Sequence, residues 1–140
     1  MLNCELMAAG LKTNVVSEKS YSFALKVVQL TRALREKHEF ELASQLLRCG
    51  TSIGANVEEA QSGVSRADFV AKMAIASKEA RETHYWLRLI RDSHILSEEQ
   101  VAPRIKEVHE LVRILIAIVK TGQRAASTKL KIQHSQFNIV

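Results

Sequence analysis

The run Phe69-Val-Ala-Lys-Met73-Ala-Ile-Ala76-Ser-Lys-Glu-Ala80-Arg-Glu-Thr83-His-Tyr-Trp-Leu87-Arg-Leu-Ile90 decides the fold. Its seven seam positions, Phe69, Met73, Ala76, Ala80, Thr83, Leu87 and Ile90, alternate steps of four and three without a break. On a helix of 3.6 residues per turn that spacing keeps them on one side, as in the seam of a bundle with coiled-coil-like packing. Just upstream, Ser65-Arg66-Ala67-Asp68 resembles a capping box with Asp in place of Glu, and Gly63 reads as the stop of a preceding helix.

That preceding helix runs from about Phe40 to Ser62, with Leu42, Leu46, Cys49, Ile53, Val57 and Ala60 on one face. A first helix runs from about Ser20 to His38, with Phe23, Val27, Leu30 and Leu34 spaced four, three and four apart. Downstream, Ser97-Glu98-Glu99-Gln100 is a full capping-box pattern before a fourth helix, from about Val101 to Arg124. Pro103 removes an intrahelical bond, so a kink or short turn is expected there, with the main helix starting near Ala102. Joints this short make neighbouring helices antiparallel, so the expected fold is all-α, an up-down-up-down four-helix bundle. The bundle domain is placed at residues 17–125, between an N-terminal extension (1–16) and a basic C-terminal tail (126–140).

The composition agrees. The chain has 140 residues, 46% apolar and 25% charged, with five glycines and one proline. Such a chain buries roughly two-thirds of its unfolded surface and needs no staple. Cys4 and Cys49 allow at most one bridge, and nothing in the pattern requires it. No apolar run approaches the ~20 residues of a membrane span. The longest, Ile114 to Val119, is closed off by Arg113 and Lys120. The first sixteen residues lack the pattern of a secretory signal, so the expected location is the cytoplasm, with no membrane partner.

The fourth helix has more apolar surface than one bundle face needs. Val101, Ile105, Val108, Val112, Leu115 and Val119 form one seam, and Leu111, Ile114 and Ile118 form a second beside it. A helix apolar on two faces buries both, so Leu111, Ile114 and Ile118 are the candidate oligomer interface.

Charge is unevenly placed. The last acidic residue is Glu110, and Arg113, Lys120, Arg124, Lys129 and Lys131 follow it, so the formal +5 belongs wholly to the C-terminal thirty residues. A one-signed segment at a chain end attracts phosphate backbones or acidic surfaces, while cations near a helix C-terminus also complement its dipole. Lys129 and Lys131 lie past the expected helix. A second basic feature is the stripe Lys78, Arg81, Arg88 and Arg91, with His84 between and Tyr85 and Trp86 beside it. It has three readings: a nucleic-acid surface built on phosphate pairing and base stacking, an oligomer interface, or a solvated face with local pairs Lys78–Glu82 and Arg88–Asp92. The nucleic-acid candidates are Arg81, Arg88, Arg91, Lys120, Arg124, Lys129 and Lys131.

Catalytic and metal chemistry find little support. Carboxylate-bridged iron in a bundle needs Glu-x-x-His pairs, and this chain has Glu36-x-His38, Glu82-x-His84 and Glu107-x-His109. That spacing turns the two side chains about 200° apart on a helix. Two cysteines and five scattered histidines give no zinc spacing. Cys49, on the apolar seam, reads as a buried inert thiol. Gly50-Thr51-Ser52-Ile53-Gly54 sits within a helical pattern, where small residues permit close helix approach. Glu58, Glu59, Glu79 and Glu82 can converge between helices, as ordinary ion-pair partners do. No catalytic residues, metal or cofactor are expected, and the protein is read as no enzyme.

The second and third helices also resemble a known family. Leu42-Ala-Ser-Gln-Leu-Leu-Arg48, Thr51-Ser-Ile-Gly-Ala-Asn-Val-Glu-Glu59, Asp68-Phe69, Ala74-Ile-Ala-Ser-Lys-Glu-Ala-Arg-Glu-Thr83 and Leu87 are similar to the four-helix bundle family named for the 23S ribosomal RNA intervening-sequence protein. The resemblance covers about Tyr21 to Thr121. Many members carry Glu-Gly after the Asn motif, where this chain has Glu58-Glu59-Ala60. The resemblance implies a bacterial cytoplasmic protein and a homopentameric ring. It also implies kinship with an accessory protein of diversity-generating retroelements that associates with nucleic acid and a reverse transcriptase. It assigns no catalytic residues.

Ser52, Asn56 and Glu59 would share a polar stripe on the second helix, with Asn56 in reach of Glu79 or Glu82 on the third. This reads as a structural lock on helix register. The expected function is a non-catalytic homo-oligomer that associates with RNA or DNA through basic surfaces repeated around a ring, where avidity multiplies weak contacts. The alternative is a scaffold for an acidic protein partner.

Overall fold

The computed structural model describes the backbone of residues 2–138 and the side chains of residues 13–138. It consists of α1 (Leu2–Glu36), α2 (Phe40–Gln61), α3 (Arg66–Asp92) and α4 (Glu98–Phe137). Each helix packs on its chain neighbour and α4 closes back on α1, with no diagonal packing among the described residues. Cross-links between helices run in opposite senses: Lys19 meets Glu110 while Lys26 meets Glu107, and Arg48 meets Glu79 while Glu59 meets Lys72. The expected antiparallel up-down-up-down four-helix bundle is what forms.

The core follows the seams. Met73, Ala76, Ala80, Thr83, Leu87 and Ile90 of α3 are buried, and Phe69 packs against them from the edge. Phe23, Val27, Leu30 and Leu34 meet them from α1, and Leu46, Cys49, Ile53, Val57 and Ala60 from α2. The small residues of α2 do bring helices together. A Cβ at Gly50 would lie 2.8 Å and 2.9 Å from the two methyls of Val27, so α1 and α2 touch there through bare backbone.

The joints are built by caps. Ser65 Oγ accepts from the Asp68 N–H at 3.1 Å, and Ser97 with Gln100 completes a reciprocal capping box. α1 ends in a Schellman pattern, in which the His38 N–H donates to the Arg35 carbonyl and the Glu39 N–H to the Leu34 carbonyl. His38, at φ 62°, holds the left-handed position that glycine usually takes.

Three expectations change. α1 begins at Leu2 and α4 runs to Phe137, so the boundaries drawn at residues 16 and 126 fall inside continuous helices and Lys129 and Lys131 are helical. Those end segments lack a strong apolar stripe, yet no proline interrupts them, and propensity alone lets a formed helix propagate. Of the kink or short turn expected at Pro103, the turn is absent, and the helix starts at Glu98 rather than near Ala102 and passes through the proline. The proline sits in the second turn, where the carbonyl it leaves unpaired, that of Glu99, lies on an exposed residue and can meet water. Finally, Leu111 and Ile118 are core residues, 1% and 8% exposed, and Ile114 packs partly against the core. The buried stripe of α4 runs Val101, Val108, Leu111, Leu115 and Ile118, so the two apparent seams are the middle and flanks of one face. Leu111 and Ile118 are thus taken up within the bundle, and Ile114 keeps a partly exposed side chain at its flank.

Candidate nucleic-acid interface

The site is defined by where each helix turns its acids. Glu79 and Glu82 of α3 face α2, where Arg48 engages both, and Lys72 reaches back from α3 to Glu59 at 2.9 Å. Glu107 and Glu110 of α4 face α1, where Lys26 and Lys19 each approach within 2.8 Å and Arg104 adds a second contact to Glu107 at 3.0 Å. The outer side of the α3–α4 seam is left to bases.

At its centre His84 and His109 stack, ring centroids 5.8 Å apart and planes 20° from parallel. Arg81 and Arg88 lie three residues before and four after His84, and Lys106 and Arg113 stand in the same relation to His109. Side chains at those offsets share a helix face with the residue between them. Arg81, Arg88, Lys106, Arg113 and Lys120 are all exposed. Among the described residues, no carboxylate lies within 4.0 Å of any of the five. Partial burial, with Arg88, His109 and Arg91 nearby, holds the His84 imidazole below its ordinary range, so it is neutral at pH 7.

The cations continue along α4. Lys106, Arg113, Lys120, Arg124 and Lys131 follow steps of seven, seven, four and seven, which keep them within about 40° of one line over about 38 Å. Lys129 falls on another side of the helix by the same count. The sequence candidates are therefore partly united. Arg81 and Arg88 flank His84 on α3, and Lys120, Arg124 and Lys131 share one line along the outer face of α4, while Arg91 bonds Asp92 at 2.8 Å. His109 went unselected, because only the packing brings it onto His84 of α3. Lys106 and Arg113 flank it on α4, where their charges, after that of Lys19, are also felt by Glu110.

Other expectations are corrected by partners. The local pairs Lys78–Glu82 and Arg88–Asp92 do not form, since Glu82 is taken by Arg48 and by the Trp86 indole N–H at 3.2 Å, and Asp92 by Arg91. Lys78 lies about 120° round α3 from His84. Trp86 turns to the α2 side, beside Phe40, Leu42 and Gln45, and is no stacking platform for the arginines. Asn56 does not reach Glu79 or Glu82. Its amide donates to the Ser52 carbonyl at 2.8 Å and to Ser52 Oγ at 2.9 Å, within its own helix. Glu59, the third member of that stripe, pairs with Lys72, so register between α2 and α3 is tied by ion pairs on either side of Asn56.

Cys49 is fully buried, and burial pushes its thiol up from the usual value, as expected of an inert thiol. The side chain of Cys4 lies outside the described residues. Among the described residues no three His, Cys, Asp or Glu side chains converge to hold a metal ion, and no helix is long and apolar enough to cross a membrane.

Fold and surface thus define an antiparallel four-helix bundle with a segregated cationic seam. The family model described as 23S rRNA-intervening sequence protein matches residues 12–117, and the chain belongs to that family. A crystal structure from Bacteroides thetaiotaomicron, of a protein with unknown function from the S23 ribosomal protein family, is similar to it. The two share 45% identity and a TM-score of 0.75, over 78% of this chain and 98% of the other. No curated protein matches the chain.

Proposed function

We propose that this protein is a non-catalytic, cytoplasmic nucleic-acid-associating module whose α3–α4 seam and α4 extension lie along a phosphate backbone. The observation that carries the reading is charge segregation: every mid-helix acid of α3 and α4 is engaged by α2 or α1, and among the described residues Arg81, Arg88, Lys106, Arg113 and Lys120 have no carboxylate within 4.0 Å. Random placement of charge on a solvated face would intersperse the signs, whereas a one-signed row exerts a field on a polyanion. Duplex DNA presents a charge about every 1.7 Å of axis, so a row about 38 Å long can meet several phosphates at once.

The same reading includes self-association as a ring of five. Its support is the exposed apolar surface of the α4 extension, where Leu130, Ile132 and Phe137 are 58%, 54% and 84% exposed. Several copies of a weak basic patch raise affinity by avidity. RNA is the first partner to test, then DNA, with a reverse transcriptase or another protein as a further component.

The experiment is fluorescence anisotropy of nuclease-treated protein with an RNA hairpin and with a DNA duplex, across a salt series. Log affinity should fall linearly with log salt, with a slope near −0.7 to −0.9 per phosphate contacted. Lys129→Ala with Lys131→Ala should weaken binding modestly, since only Lys131 shares the row. Saturable binding of an acidic protein, with no RNA or DNA binding at low salt, would replace this reading with the scaffold.

A further inference from the structure

We propose that His84 and His109 form a phosphate-binding site at the centre of the α3–α4 seam, where both imidazoles donate to one phosphodiester of a bound nucleic acid and take up protons in doing so. This rests on the nucleic-acid reading above and names the point of contact.

The geometry fits a bridging anion. The two rings come from facing helices, with centroids 5.8 Å apart and planes 20° from parallel, a spacing that one phosphate can span. Neither is a core residue: His84 is half-buried and His109 is exposed. A neutral imidazole has one N–H and one acceptor nitrogen, while the protonated ring donates from both. Two donors side by side suit the oxygens of one phosphate.

The surroundings decide which ligand the pair takes. From α3, Arg88 and Arg91 act on His84, with Arg81 one turn away. On α4, Lys106 and Arg113 flank His109. The carboxylates nearest in sequence are held elsewhere, Glu79 and Glu82 by Arg48 of α2, and Glu107 and Glu110 by Lys26 and Lys19 of α1. Two acids act on this cluster: Asp92, bonded by Arg91 and felt by Arg88, and Glu110, bonded by Lys19 and felt by Arg113 and Lys106. Cations outnumber them, and the excess positive charge opposes a bound metal ion and opposes protonation of His84 when the site is free. An arriving phosphate supplies the missing negative charge. At His84 the bound state then favours protonation that the free state resists, and linkage makes affinity rise as pH falls.

The test is the pH dependence of binding to a fluorescein-labelled RNA hairpin between about pH 8 and about pH 6, where histidine is the side chain that normally titrates. Affinity of the whole chain should rise by about 10-fold per pH unit for each proton taken up. His84→Gln with His109→Gln removes both titrating rings, so whatever its affinity at the high-pH end, the variant should lose most of the slope. In the unsubstituted chain, the imidazole proton resonances of His84 and His109 should titrate at higher pH with RNA than without it, a readout that does not depend on the variant folding.

An unchanged slope in the double variant, or imidazole titrations that RNA does not move, overturns the site while leaving nucleic-acid binding intact. Loss of the slope in a chelator assigns the pair to a bridging metal and also overturns it. Inorganic phosphate that competes as well as RNA at equal phosphate concentration makes the site one for the free anion, against the proposal. If RNA does not bind at all at low salt, the underlying reading fails and the site fails with it.

Discussion

Gly50 and Gly54 lie one turn apart on the same helix, and alanine at the two positions should act in opposite directions. Each substitution gains about 1 kcal/mol from helix propensity. At Gly50 the new Cβ meets Val27 Cγ1 at 2.8 Å, Cγ2 at 2.9 Å and Cβ at 3.3 Å. Val27 is fully buried, and turning its side chain can relieve only one of the two methyl contacts while its Cβ stays at 3.3 Å, so α1 and α2 must part. Overpacking of this kind costs about 1–3 kcal/mol. The net for Gly50→Ala is a loss of about 0–2 kcal/mol. At Gly54 the nearest atoms are the Ser20 carbonyl oxygen at 3.4 Å and Ser20 Oγ at 3.6 Å, ordinary contacts, so Gly54→Ala should keep most of the propensity gain. Urea unfolding followed by circular dichroism reads the difference, about 1 M in midpoint if the slope is ~1–3 kcal/mol/M for both. Val27→Ala should abolish the penalty of Gly50→Ala in a double-mutant cycle. Equal stabilisation by both alanines would falsify the close α1–α2 approach at Gly50.

Three further outcomes follow from named contacts. Arg48→Ala removes the cation shared by Glu79 and Glu82, whose side chains are 16% and 32% exposed, and should cost about 1–2 kcal/mol, between the values for surface and buried pairs, by thermal or urea unfolding. In a Cys4→Ser background, Cys49 should react with a thiol reagent at least about 100-fold more slowly in the native protein than in denaturant, because its burial disfavours the thiolate; comparable rates would contradict its burial. Asn56→Ala should change stability by less than about 1 kcal/mol, since the lost bond to Ser52 is local and alanine favours the helix, and should leave RNA affinity alone.

The fold was legible where apolar spacing is unambiguous. The α3 seam from Phe69 to Ile90 and the α1 seam from Phe23 to Leu34 name the side chains that fill the core, because one narrow stripe can face only one way. α4 was harder. With Leu111, Val112, Ile114, Leu115 and Ile118 spread across a wide apolar arc, period alone does not fix its rotation, and the packing of α1 and α3 turns Leu111 and Ile118 inward. The ends of α1 and α4 carry no seam to read. The functional surface was legible only in part for a similar reason. Sequence shows where the cations are, but Glu107 and Glu110 offset Lys106 and Arg113 on paper, and only the structure shows that those acids make their ion pairs with Lys26 and Lys19 across the α1–α4 groove. His84 and His109, 25 positions apart in the chain, become a pair through the antiparallel register of α3 and α4.

The most direct test of the cationic seam is the salt dependence of RNA hairpin binding by the whole chain, beside a variant carrying Arg81→Ala, Arg88→Ala, Arg113→Ala and Lys120→Ala. These four side chains are exposed and make no ion pair among the described residues, so the variant should melt like the parent. The seam predicts a log–log salt slope shallower by about 3–4 and an affinity at low salt reduced at least about 100-fold. An unchanged slope, with affinity within about twofold of the parent, would contradict the seam as the nucleic-acid surface.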